Sequence, residues 1–154
     1  MNSNDILRSL RFTFDLDDSK MMELCSSDKK QATRAEISDW LKRDDDPAYV
    51  EMEDVQLAVF LNNFITEKRG KKQGGQPEPE HELNNNIVFR KLRIALDLKD
   101  DDILAILKLA ARYISKHELS AFFRKPGHAK YRVCHDQILR NFLQGMRKVY
   151  RDHA

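Results

Sequence analysis

The stretch Arg8-Ser-Leu-Arg11-Phe-Thr-Phe-Asp15-Leu-Asp-Asp18 returns 82 residues later as Arg90-Lys-Leu-Arg93-Ile-Ala-Leu-Asp97-Leu-Lys-Asp100. The same offset carries Glu36 and Ser38 to Glu118 and Ser120. It carries Tyr49, Asp54, Leu57, Phe60 and Leu61 to Tyr131, Asp136, Leu139, Phe142 and Leu143. No gap is needed, so corresponding loops have equal lengths. Self-similarity at a fixed period marks two copies of one structural unit. The periodicity inside each copy is helical, so we expect an all-α fold of two tandem homologous four-helix repeats, related by a pseudo-twofold and joined by a flexible linker.

The first helix of each copy carries Leu7, Leu10 and Phe14, matched by Phe89, Leu92 and Leu96 at helical steps of three and four. It ends near Asp15 and Asp97. Asp18 and Asp100 are the expected N-caps of the second helix. Its apolar face is Met21, Met22, Leu24 and Cys25, matched by Ile103, Leu104, Ile106 and Leu107. The third helix opens on Thr33-Arg-Ala-Glu36 and Ser115-Lys-His-Glu118, two capping boxes at one repeat position. It buries Ile37, Trp40 and Leu41, or Leu119, Phe122 and Phe123. A turn follows, and the fourth helix buries Leu57, Phe60, Leu61 and Phe64, or Leu139, Phe142, Leu143 and Met146. In copy 1 that helix is apolar almost all round, which predicts burial on several sides, between the copies or in a homodimer. Copy 1 spans residues 1–68 and copy 2 residues 83–154. Between them, 69–82 reads Arg-Gly-Lys-Lys-Gln-Gly-Gly-Gln-Pro-Glu-Pro-Glu-His-Glu, which has no large apolar residue and the composition of a flexible linker.

The net charge of +2 hides a split. Residues 1–70 hold 10 Lys and Arg against 15 Asp and Glu, a net of −5, whereas residues 71–154 hold 17 against 10, a net of +7. Such asymmetry suits an anionic partner for the basic half, or attraction between the halves. The two cysteines, Cys25 and Cys134, fall at unrelated positions of the repeat, so a disulfide is not expected and a reducing compartment is. No signal peptide or long apolar run is visible, and the expected location is the cytoplasm, with no membrane partner.

The densest polar chemistry is Arg124-Lys-Pro-Gly-His-Ala-Lys-Tyr-Arg-Val-Cys-His135. With it goes a stripe at spacings of four, three and four on the fourth helix of copy 2: Arg140, Gln144, Arg147 and Arg151. The candidate anion- or nucleic-acid-binding residues are Lys116, Arg124, Lys125, His128, Lys130, Arg140, Arg147 and Arg151. Tyr131 could stack on a base, but Tyr49 takes its place in the acidic copy, which favours a structural role. His117, His128, Cys134 and His135 match none of the usual zinc spacings, and copy 1 aligns Ala35, Asp46, Met52 and Glu53 with them. No metal or other cofactor is expected. No nucleophile elbow, P-loop or dinucleotide fingerprint is present, so an enzyme is not expected.

Copy 2, through Lys116-His-Glu-Leu-Ser-Ala-Phe-Phe-Arg-Lys-Pro-Gly-His128 and Tyr131 to Leu143, resembles the YehS-like family of small bacterial proteins. The resemblance implies two tandem copies of a domain of unknown function over essentially the whole chain, and brings no assigned activity. Copy 1 departs from copy 2 at Ser26-Ser-Asp-Lys-Lys-Gln31, which predicts a shorter second helix there. Two functions remain. One is a non-enzymatic regulatory binder of nucleic acid or another polyanion through copy 2, its second and third helices arranged like a helix-turn-helix that presents Lys116, His117, Ser120 and Arg124. The other is a protein–protein adaptor that uses the apolar fourth helix of copy 1.

Overall fold

A computed structural model describes residues 1–71 and 73–152. Among them are eight helices and no strand: α1 Ser3–Thr13, α2 Asp18–Cys25, α3 Arg34–Leu41, α4 Asp54–Arg69, α5 Asn85–Leu96, α6 Asp100–Leu109, α7 Lys116–Phe122 and α8 Asp136–Tyr150. Each helix of the second set begins 82 residues after its counterpart. The chain divides into two compact units, one of Met1–Leu83 and one starting at Asn84.

The expected apolar faces build the two cores. In the first unit Leu7, Leu10, Met21, Leu57, Phe60, Leu61 and Phe64 are buried; in the second, Phe89, Leu92, Ile103, Leu107, Leu139, Phe142 and Met146 are. Within each unit the second and fourth helices make the broadest contact, α2 on α4 and α6 on α8. At fully buried aromatic positions each side chain removes its whole apolar surface from water, worth about 2–3 kcal/mol apiece.

The termini of the helices explain several repeated residues. Thr33 and Ser115 each accept from the amide three residues on at 3.1 Å, and Glu36 and Glu118 accept from the cap amide in return, closing both boxes. Asp15 and Asp97 stand in the left-handed region, with φ of 51° and 53°. Each sits just past the end of its helix in a Schellman arrangement: Leu16 N–H donates to the Arg11 carbonyl at 3.0 Å, and Leu98 N–H to that of Arg93 at 3.1 Å. Aspartate is among the few side chains that tolerate this conformation, which accounts for an acid where the helix dipole disfavours one. The caps of the second helices are shifted from expectation. Asp17, not Asp18, accepts from Lys20 N–H at 2.8 Å. In copy 2 the cap position is Lys99, whose own amide is held by Asp102 at 2.8 Å; Asp100 is the first helical residue. The single αL residue at Asp15 or Asp97 reverses the chain quickly, so each second helix starts one residue sooner than expected. As expected, α2 is shorter than α6. Ser26 ends it by donating to the Met22 carbonyl at 2.6 Å and accepting from Ala32 N–H at 2.8 Å.

One buried side chain organises each unit. Asn4 donates to the carbonyls of Trp40 at 3.0 Å and Val50 at 2.9 Å, and accepts from Met52 N–H at 2.8 Å. Its repeat partner Asn86 donates to Phe122 at 3.0 Å and Arg132 at 2.8 Å, and accepts from Cys134 N–H at 2.9 Å. Each carboxamide joins the first helix to the end of the third helix and to the extended segment leading into the fourth.

The two copies solve the contact of the second and fourth helices differently. Asn63 of α4 donates to the carbonyls of Leu24 and Ser26, both at 2.8 Å. At the equivalent place α8 has Gly145, where a Cβ would lie 2.1 Å from the Ile106 carbonyl oxygen.

The segment after α4 is tied to it at two points. Gln76 donates to the Asn62 carbonyl at 3.4 Å and to Asn63 at 3.2 Å, and Leu83 N–H donates to Asp54 at 2.8 Å.

Two substitutions test this frame by chemical denaturation. Asn86→Ala strands a buried carbonyl, a part-buried carbonyl and a buried amide, each buried group costing about 1–3 kcal/mol. We expect a loss of at least ~3 kcal/mol; a loss under ~1 kcal/mol contradicts the clamp. Gly145→Ala gains helix propensity yet forces α6 and α8 apart. We expect net destabilisation of about 1–3 kcal/mol, and a stabilised variant would contradict the close approach.

Candidate anion-binding surface

The basic residues of copy 2 come from three elements. Lys116 opens α7, Arg124, Lys125, His128 and Lys130 lie on the turn between α7 and α8, and Arg140 and Arg147 lie on α8 with Arg151 just past its end. All are exposed except Arg151, which is half-buried. The repeat of 3.6 residues per turn puts Arg140, Arg147 and Arg151 within about 20° of one direction around the helix axis, and Arg140 and Arg147 about 10 Å apart along it. The opposite face of α8 buries Ile138, Leu139, Phe142, Leu143 and Met146. The equivalent α4 positions of the stripe are occupied by Ala58 and Asn62, both buried, and half-buried Ile65. Arg151 alone has a cationic counterpart, exposed Arg69, so the fold does not require cations at the positions of Arg140 and Arg147.

The turn has the same build in both copies. His128 N–H donates to the Lys125 carbonyl at 2.9 Å and Tyr131 N–H to that of His128 at 3.0 Å; Asp46 and Tyr49 make the matching bonds at 3.0 Å each. The His128 Nδ1 accepts from Lys130 N–H at 3.0 Å, and Asp46 accepts from Ala48 N–H at 2.8 Å. His128 thus performs a turn-closing task that an aspartate performs in copy 1. Tyr49 has a structural partner as well, accepting from the Asn2 side chain at 3.1 Å.

The features of a DNA-reading helix are incomplete. α7 has seven residues, and Arg124 lies beyond its end. Lys116 pairs with Asp101 of α6 at 3.1 Å, which offsets its charge.

Both cysteines are buried and free, and burial pushes each thiol up to about 12. Neither yields a thiolate nucleophile near neutral pH. Among the described residues no three His, Cys, Asp or Glu side chains are grouped as a metal site requires, and no helix is long and apolar enough to cross a membrane. Asp136 is held below its usual range by the hydrogen bond from the Asn85 side chain at 2.7 Å, so the acid at the start of α8 is ionised and favours the helix dipole.

Sequence reasoning passed over Asn4, Asn86 and Gly145. The two asparagines are themselves an identical pair at the 82-residue offset. Gly145 is the repeat counterpart of Asn63, and nothing in its own neighbourhood of sequence announces a helix crossing.

The model of a family described as "Protein of unknown function (DUF1456)" matches residues 3–70 and again 85–152. The chain is 43% identical over 147 residues to "Uncharacterized protein YehS" of Escherichia coli (strain K12), covering 95% of this chain and 94% of that protein. No solved structure matches.

If His128 serves the turn rather than a ligand, His128→Asp keeps the acceptor found in copy 1. We expect its unfolding midpoint in denaturant to match the parent within about 0.5 kcal/mol, with His128→Ala the less stable of the two. Equal stability of the Ala and Asp variants would remove the turn-closing role.

Proposed function

Since the chain belongs to the DUF1456 family of proteins of unknown function, we propose that it is a non-enzymatic regulatory module that binds nucleic acid or a similar polyanion through copy 2. The observation that carries this reading is the α8 stripe. Arg140 and Arg147 stand exposed at positions that copy 1 fills with buried Ala58 and half-buried Ile65. A solvated basic face that packing does not demand, together with Arg124, Lys125 and Lys130 on the preceding turn in a half of net charge +7, is the electrostatic footprint of a phosphate-rich partner. The contacts would be to backbone phosphate, which gives affinity without base-specific reading. A non-catalytic role is supported by the two buried thiols, which leave no thiolate nucleophile.

The adaptor reading rests on the apolar fourth helix of copy 1. Val55 and Val59 of that helix share a cleft with Trp40, Pro79 and His81, so the chain's own connecting segment lies along part of the face an adaptor would offer. This favours the basic surface.

Fluorescence anisotropy with mixed-sequence duplex and single-stranded oligonucleotides tests the proposal. Affinity should fall steeply between 50 and 200 mM salt. Replacing Arg140, Arg147 and Arg151 together by Gln should flatten the logarithmic salt slope by about 2–3, near 0.9 per lost duplex phosphate contact, with little change in stability. Absence of binding at low salt overturns the proposal, and binding with an unchanged slope excludes the α8 stripe as the site.

A further inference from the structure

The first unit, although net acidic, contains a cleft of about 340 Å³ bounded by α1, α2 and α3. Arg11, Arg34 and Lys42 line it against a single carboxylate, Asp18; Ser38 adds a hydroxyl, and Ile37 and Leu41 form apolar wall. Ile37 is buried and Leu41 half-buried. The Nε of Arg11 is buried and has no hydrogen-bond partner. A guanidinium N–H withdrawn from water without an acceptor is costly; that nitrogen is itself out of a ligand's reach, and an anion would meet the Arg11 guanidinium where the residue lines the cleft.

The second unit supplies an internal comparison. Arg93, the counterpart of Arg11, lies over the Phe123 ring at 4.7 Å and pairs with Asp100 at 3.5 Å. Its guanidinium is engaged on its face and at its edge. Copy 1 has Leu41 where copy 2 has Phe123, so no ring covers Arg11. Of the remaining cations of the cleft, Arg34 is loosely held and Lys42 is not. Arg34 reaches Asp18 only at 3.9 Å, across exposed side chains. Lys42 is closer to its partner, at 2.5 Å from Asp39. An exposed pair such as Arg34–Asp18 yields readily to a dianion, whereas Lys42 and Asp39 are both half-buried.

We infer that this cleft binds a small phosphate monoester, its phosphoryl group against Arg11, Arg34 and Lys42 and its organic part on Ile37 and Leu41. The volume lies at the small end of ligand pockets and is several times what a bare oxyanion fills, which argues for an ester rather than free phosphate. Guanidinium groups suit the planar, two-point recognition of phosphate oxygens. The site is independent of the α8 stripe and takes a different ligand, one small molecule rather than a polymer.

Phenyl phosphate is the probe, titrated into the full chain and followed by amide chemical shifts and calorimetry, with phenol and inorganic phosphate in parallel. We expect saturable binding of phenyl phosphate with shifts centred on Ser38, Leu41 and Lys42, weaker binding of inorganic phosphate, and none of phenol. Arg11→Gln should weaken binding at least tenfold. Leu41→Phe should do the same by giving Arg11 the ring that Arg93 has, and Asp18→Asn should tighten it. Arg93→Gln and the triple α8 variant should bind as the parent does. The dispersed amide spectrum of each variant reports its folding. Absence of saturation in the parent by ~10 mM, an affinity below the millimolar range of weak specific ligands, overturns the inference. So does unchanged affinity in a folded Arg11→Gln variant.

Discussion

The carboxamide of one asparagine, placed near the start of the first helix in each unit, is the constraint on which the rest depends. Three short helices and a non-helical segment cannot satisfy their own backbone where they meet. The last turn of the third helix has carbonyls to spare, and the extended segment before the fourth helix has no strand to pair with. Asn4 and Asn86 close both deficits at once with two donors and one acceptor. Because the group is buried, each of these bonds is expensive to leave unmade. It also fixes register, since only one setting of the turn brings Val50 and Met52, or Arg132 and Cys134, onto the same side chain.

With the frame fixed twice, the differences between the copies become informative. Where copy 1 buries Ala58, copy 2 exposes Arg140. Where copy 2 stacks Phe123 on Arg93, copy 1 leaves a cleft before Arg11. The same secondary elements thus carry a basic outer face in one unit and a small cationic recess in the other. The repeated aspartates and tyrosines belong to the frame instead: Asp15 and Asp97 hold left-handed turns, and Asp46 and His128 close equivalent loops by different chemistry.

The architecture was legible in the sequence because its signals are local. The 82-residue offset, the two capping boxes and the three- and four-residue apolar steps each point to the same eight helices. The caps of the second helices were read one residue late: in copy 1 Asp17 and Asp18 are chemically equivalent, and in copy 2 the cap position is Lys99, whose side chain makes no cap hydrogen bond, so Asp100 read as the cap. The clamp was not read because an asparagine in a first turn usually serves as a local cap, and burial is set by tertiary packing. The cleft beside Arg11 was invisible for a similar reason. Leu41 and Phe123 look alike as apolar positions, but both are half-buried, and only the longer aromatic side chain covers its arginine.

Native-state hydrogen exchange of the Met52 and Cys134 amides tests the common frame most directly. Both lie outside any helix, and the hydrogen bonds they make are to Asn4 and Asn86. If the clamps organise the units, both amides should exchange as slowly as the central residues of α4 and α8, through global unfolding alone. Exchange at the rate of the neighbouring loop amides, with the helices still protected, would contradict the account.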